Sequence, residues 1–446
     1  MTSGLKPYPE YRESGLPWLG RIPVHWEVRR NGRLFSQRNE TGFADLPILE
    51  VSLKTGVRVR NFGDGKRKQV MADHAKYKRA VRADIAYNMM RLWQGAVGVA
   101  PVDGLVSPAY VVANAHPGVD SRYYAYLFRI GAYTEEVNKY SHGIVTDRNR
   151  LYWDEFKQMP SVFPPPDEQR AITRYLDQQN LVVSRLILKK RALIDLLNEQ
   201  KQAIIHHAVA RGLNPSALLR PSGVPWLGDI PSHWEIRRLK FLAHIKTGGR
   251  DTVDRVDNGV YPFFVRSQTV ERIDTYSFDG EAVLTAGDGA GVGKVFHYVN
   301  GKFDYHQRVY KFSKFRRISG NFFFHYLKSN LRFEALDASA KSTVDSLRLP
   351  LLQNFATAVP PVGEQGSIVT WIDAESLPLD TAIARTEREI ALLQEYRTRL
   401  TADIVTGKLD VREAARTLPA EVEAPEAVIA AEDEAEELLE AVADDE

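Results

Sequence analysis

Apolar residues fall on one helical stripe in two stretches of the chain. In the first, Val183, Ile187, Ile194, Leu197, Ile204 and Ala208 are separated by three, four or seven positions. In the second, Leu379, Ile383, Ile390, Leu393, Leu400 and Ile404 repeat that frame 196 positions later. Such spacing keeps side chains on one side of a 3.6-residue helix, so both stretches predict long amphipathic helices. Lys190 and Lys201, like Thr386 and Arg397, are polar residues within the frame and would weaken a dry seam. Each stretch opens on prolines, then Glu168-Gln169 or Glu364-Gln365. Proline fits a first helical turn and a carboxylate favours a helix N-terminus. Pro378 removes a ladder hydrogen bond, which predicts a short opening helix, a break, then a long helix with Pro378 in its first turn. That long helix would run roughly 28 residues, on the order of 40 Å. The simplest way to bury its stripe is for the two copies to pack on each other as a coiled coil.

A second repeat precedes each helix. Residues 14–30 read SGLPWLGRIPVHWEVRR and residues 222–238 read SGVPWLGDIPSHWEIRR, with thirteen of seventeen positions identical at an offset of 208. Trp18, Pro23 and Trp26 recur as Trp226, Pro231 and Trp234, which marks a duplication. The intervening inserts, 31–163 and 239–359, resemble each other only weakly and read as mixed α and β. Val299-Asn300-Gly301-Lys302, between alternating residues, predicts a hairpin turn. The order is therefore domain, long helix, domain, long helix, tail.

Charge sharpens this picture. The 446 residues carry a formal charge of +2, but twelve acidic residues and no Lys or Arg follow Arg416, which leaves +14 on residues 1–416. A basic body with an acidic tail is the asymmetry of a nucleic-acid binder. The absence of cysteine excludes disulfides, thiolate metal sites and cysteine nucleophiles. No 18-residue apolar run occurs and MTSGLKPYPEYRESG has no apolar core, so neither a membrane span nor a secretory signal is expected, and the cytoplasm is the expected compartment.

The twin SG-PWLG-IP-HWE-RR elements, the twin PP--EQ helix openings and their order resemble the specificity (S) subunit of type I restriction–modification systems, from about Pro7 to Val411. The resemblance implies an α+β fold: two mixed α/β target-recognition domains separated by two long antiparallel helices forming a coiled coil, with a pseudo-twofold internal repeat. The plan is then 1–30 as an N-terminal element, 31–163 as the first recognition domain, and 164–213 as a central helical region. A repeated element (214–238), the second recognition domain (239–359), a C-terminal helical region (360–411) and an acidic disordered tail (412–446) follow. It further implies a non-catalytic subunit in which each domain reads half of a bipartite, asymmetric double-stranded DNA site. The helices would set the gap and dock two methyltransferase subunits, with two restriction subunits completing the complex. S-adenosylmethionine, ATP and magnesium would sit on those partners, and none on this chain. Val183, Ile187, Ile194, Leu197 and Ile204, with Leu379, Ile383, Ile390, Leu393, Leu400 and Ile404, form the expected helix and subunit interface. Trp18, Pro23, Trp26, Trp226, Pro231 and Trp234 are expected scaffold.

Base-reading residues do not carry over, so candidates come from chemistry. Lys54, Arg58, Arg60, Lys66, Arg67 and Lys68, with Gly56, Gly63 and Gly65, read as a basic loop able to grip phosphate. Arg250, Arg266, Gln268, Lys294, His306, Gln307 and Arg308 supply the residue types that pair with guanine and adenine edges. GDGAGVGK (287–294) lacks the leading glycine and trailing hydroxyl of a phosphate loop, so it reads as a glycine-rich turn between strands. His25 and His233 are expected to pack on the tryptophans, and no metal-ligand spacing occurs. A nucleotide-dependent enzyme would need a phosphate loop or acidic metal cluster, and a coiled-coil scaffold indifferent to DNA would not need the basic body.

Overall fold

The computed structural model describes residues 4–53, 55–60, 74–142, 149–339 and 346–419. The chain divides into two compact units, residues 1–192 with 387–446, and residues 193–386. Each unit is built on the same scaffold. In the first, Tyr11–Glu13 pairs antiparallel with Arg21–Pro23, and Glu27–Arg30 with Pro160–Phe163. In the second, Leu219–Pro221 pairs with Asp229–Pro231, and Glu235–Arg238 with Ala356–Val359, in the same register. Arg12 and its counterpart Arg220 each donate from Nη2 to a tryptophan carbonyl, of Trp26 and Trp234, at 2.6 Å.

The helices are Pro166–Arg211 and Val362–Val405, 46 and 44 residues long. The break expected near Pro378 is absent. Pro378 and its neighbour Leu377 face solvent, so water can satisfy the carbonyl that the missing N–H leaves open, and the helix continues through it. Within the first unit, residues 166–192 and 387–405 run antiparallel. Ile172 and Leu176 share a core with Leu400 and Ile404, while Lys190 pairs with Glu389 at 2.5 Å. Within the second, residues 193–211 and 362–386 do the same, with Ile205 and Ala208 packed among Ile368 and Ile372 and Lys201 pairing with Asp380 at 2.6 Å. All twelve stripe residues are buried or half-buried. The polar frame positions find partners: Arg397 reaches the Ser184 hydroxyl at 3.5 Å, and buried Thr386 donates to the Ala382 carbonyl.

Both helices end against a tryptophan. Gly212 and Gly407 follow with φ of +72° and +81°, and a Cβ at either would lie 3.0–3.1 Å from the ring of Trp234 or Trp26. Glycine alone meets both demands, left-handed backbone and close approach. Thus the scaffold of the first unit is closed by the end of the second helix, and that of the second unit by the end of the first.

The inserts diverge. The first holds a four-stranded sheet, in the order Phe35–Arg38, Tyr110–Ala115, Ile85–Asn88, Val97–Val99; the second holds a six-stranded sheet. Asn300-Gly301 is not a turn. It lies inside the strand Phe296–Tyr305, opposite Glu281 and Gly280 of Phe278–Ala286. The facing glycines Gly280 and Gly301 have φ of +136° and +138°, so the flexibility that signals a turn bends two long paired strands instead. The expected tail also begins late: Ala414–Thr417 forms a short 3-10 turn with Ala415 buried.

Candidate nucleic-acid interface

The shared scaffold is locked by one carboxylate in each unit, buried Glu168 in the first and half-buried Glu364 in the second. The Trp26 indole Nε1–H donates to Glu168 at 3.1 Å, and His25 Nε2 lies 2.8 Å from the same carboxylate. Trp234 and His233 bind Glu364 at the same distances, 3.1 and 2.8 Å. The histidines therefore bond to a carboxylate, beyond the packing expected of them. In the first unit Tyr8 adds a third hydrogen bond to Glu168, and burial beside that carboxylate holds the phenol well above its ordinary pKa. Gln169 ties loop to helix, donating to the Pro164 carbonyl and accepting from the Asp120 N–H, both at 2.8 Å. Gln365 does likewise with the Pro360 carbonyl and the Ser319 N–H. These residues position the inserts and leave base contacts to them.

In the second unit the candidates cluster, held by carboxylates that the sequence did not flag. Asp288 receives Arg266 at 3.2 Å and Arg308 at 2.8 Å. Arg250 binds Asp304 at 3.3 Å and the Thr275 hydroxyl at 3.0 Å. Gln307 donates to Asp251 at 2.6 Å. Buried His306 accepts the Arg308 N–H at 3.0 Å through Nδ1, and its burial lowers its pKa. Gln268 donates to the Lys294 carbonyl at 2.7 Å, and Lys294 is exposed.

Side chains of Arg250, Arg266 and Arg308 stay 40–57% exposed. A guanidinium carries five N–H donors, so each keeps donors beyond those its carboxylate takes. Arg266 and Asp288 also line a cleft of about 310 Å³ with Thr252, Ser267, Gly289 and Gly291. Gly287 and Gly291 are required by packing: a Cβ there would sit 2.9 Å from the Arg308 carbonyl or 2.6 Å from that of Arg266. The glycine-rich stretch, with its short 3-10 turn Gly289–Gly291, is thus a tight turn between strands.

In the first unit Arg58 binds Glu50 at 2.6 Å within the hairpin Leu49–Ser52 and Gly56–Val59, and Arg60 lies 3.7 Å from the same carboxylate. Gly56 approaches Gly98 closely. Lys54, Lys66, Arg67 and Lys68, with Gly63 and Gly65, lie outside the described residues. An unforeseen network stands beside the hairpin in this insert. Arg38 binds Asp84 and Glu40, and Arg79 binds Glu40 and Asp103, at 2.6–3.3 Å. Hydrogen bonding from Arg38 holds Glu40 below the usual carboxylate range. Apart from Arg38–Glu40, two positions apart, these pairings cross 24 to 46 positions of sequence, so no local pattern announces them. Among the described residues no helix is long and apolar enough to cross a membrane.

A chain with one scaffold duplicated around two unlike inserts, the second presenting carboxylate-tethered arginines, has the build of a two-part recognition protein. Residues 231–391 match the family model described as the type I restriction modification DNA specificity domain, and the chain is specificity-subunit-like. It is 28% identical over 182 residues to the type I restriction enzyme EcoDI specificity subunit of Escherichia coli, covering 41% of this chain and 40% of that one. It is 23% identical over 282 residues to the MjaVIII specificity subunit of Methanocaldococcus jannaschii, covering 58% and 64%. The alignments thus span between two fifths and just under two thirds of these relatives. A solved chain from a study of complex assembly and conformational transition of the type I R-M system shares the fold, with a TM-score of 0.62 at 16% identity, over 86% of this chain and 98% of that one.

Proposed function

We propose that this chain is the sequence-specific DNA-recognition subunit of a type I restriction–modification complex and performs no chemistry itself. Each insert reads one half of a bipartite double-stranded site. Because the inserts differ in sheet and in sequence, the halves differ and the site is asymmetric. The stripe helices set the gap and dock two methyltransferase subunits, and two restriction subunits join them. S-adenosylmethionine, ATP and magnesium act on those partners.

The observation that carries this reading is the duplicated scaffold, identical at Trp26–Glu168–His25 and Trp234–Glu364–His233, around inserts that share no sheet order. Selection for one rigid frame with two different surfaces suits a reader of two different sequences. Arginine tethered by a carboxylate suits guanine, whose O6 and N7 take two parallel N–H donors. The +14 body supplies the phosphate attraction that every such complex needs.

Co-expression with a type I methyltransferase subunit, followed by methylation mapping of the host genome, tests it. One bipartite, asymmetric adenine-methylated motif should appear and should vanish when this chain is omitted. A complex that forms and methylates no motif would make the chain a scaffold. Methylation by the purified chain alone would overturn its non-catalytic role.

A further inference from the structure

The first unit holds a pocket of about 470 Å³ beside Glu168, lined by Arg170, Arg174, Arg412 and Arg416. Two of these arginines are committed. Arg170 pairs with Asp167, and Arg412 makes a two-pronged pair with Asp410 at 2.6–3.1 Å. Glu168 accepts from Tyr8 and Trp26 and binds His25, and its charge acts on the neighbouring Arg412. The surplus charge rests on the other two. Arg174 donates from Nη1 to the Ala415 carbonyl at 3.3 Å, while its buried Nε has no partner. Arg416 makes no side-chain hydrogen bond or ion pair among the described residues.

The duplicate serves as an internal control. At the positions 196 further on, Glu364 keeps its histidine and tryptophan, but Asp167, Arg170 and Arg174 become Gly363, Gly366 and Thr370. At that offset Arg412 becomes Ser216, and Arg416 becomes Arg220, whose guanidinium is taken up by the Ser232 and Trp234 carbonyls of its own scaffold. The scaffold is complete without the arginines, so something else accounts for them. What distinguishes the first unit is the segment that leaves it. After Arg416 the chain carries twelve acidic residues and no basic one, beginning at Glu421 and Glu423.

We propose that the Arg174–Arg416 pocket is the docking site of the chain's own acidic segment, residues 421–446. Glu421 lies five positions after Arg416, a reach of up to about 17 Å in extended chain. Carboxylates of this segment pair with the two uncommitted guanidinium groups, the strongest of the common side-chain pairings. The association is electrostatic and partly exposed, so salt weakens it. This inference goes beyond the DNA-recognition reading and holds or fails independently of it.

The chain lacks cysteine, so Ala424→Cys gives one labelling site on the full-length protein for an uncharged fluorophore. High anisotropy is expected at low salt. It should fall by half or more at 0.5 M salt (about a 4 Å Debye length), in Arg174→Gln/Arg416→Gln, and in Glu421→Gln/Glu423→Gln/Glu426→Gln. The reversal Arg174→Glu/Arg416→Glu should also lose it, and Glu421→Lys/Glu423→Lys on that background should restore it, which misfolding could not mimic. Anisotropy that is equal in the wild type and Arg174→Gln/Arg416→Gln overturns the proposal. If those substitutions lower only DNA affinity, or only methyltransferase binding, the pocket takes a phosphate or a partner's acidic surface, and the proposal is equally overturned.

Discussion

Glu168 shows how much one residue can hold. Its carboxylate accepts hydrogen bonds from Tyr8 and Trp26 and binds His25, and only 4% of its side chain is exposed. Glu168→Ala strands several buried donors at once, each costing about 1–3 kcal/mol. A loss of about 2–4 kcal/mol from the first unit is expected in urea unfolding followed by tryptophan fluorescence. Glu364 binds two partners and is 27% exposed, so Glu364→Ala should cost about half as much; equal losses would show that the two frames are energetically alike. Lys311 is the opposite case, a buried ammonium over the Phe278 ring at 3.4 Å with Lys246 and Lys314 nearby. Burial first, then those like charges, pushes its pKa from 10.5 to about 8. Between those values the unfolded chain binds the extra proton, so this group's contribution to stability rises with pH from about 8 and levels off above 10.5. Lys311→Met should therefore stabilise the protein at pH 7, by about 1–3 kcal/mol, and the gain should vanish near pH 11. A gain that persisted at pH 11 would place the effect in packing instead of charge.

At the scale of elements, the sequence stripe located both helices and their frame, because a 3.6-residue period survives wherever a helix is half-buried. Two local signals misled for one shared reason. Pro378 removes a ladder donor and Asn300-Gly301 loosens the backbone, but the shape that results depends on the neighbours. Pro378 faces water, and Gly301 faces Gly280 on a paired strand. Neither neighbour is visible in a local window. Proline inside a helix costs about 3 kcal/mol relative to alanine, and at position 378 no packing favours it. Pro378→Ala should raise stability by about 1–3 kcal/mol, read as a higher urea midpoint with unchanged slope. A lower midpoint would mean that a kink at this position is part of the native packing. The arginine tethers were illegible for the same physical cause. Arg308 meets Asp288 across 20 positions and Arg250 meets Asp304 across 54, distances over which only the folded sheet brings side chains together.

At the scale of the whole chain, the scaffold makes the inserts exchangeable. The first insert leaves the scaffold after Arg30 and returns at Pro160, and those two residues are direct partners in a strand pair. The second leaves after Arg238 and returns at Ala356, again direct partners. An insert whose two ends sit side by side can be replaced without moving the frame, because the replacement has only to start and finish at adjacent points. If, as proposed, each insert reads its own half-site, replacing residues 31–159 with the corresponding insert of a type I specificity subunit should change one half of the methylated motif. The other half and the gap should stay as they were, since residues 239–359 and both long helices are untouched. Methylation mapping of the chimera co-expressed with a type I methyltransferase subunit reads both halves in one experiment. A change in both halves would show that the inserts read the DNA jointly, and the pairings Arg30–Pro160 and Arg238–Ala356 would then be points of coupling between scaffold and reader, with the frame itself taking part in recognition.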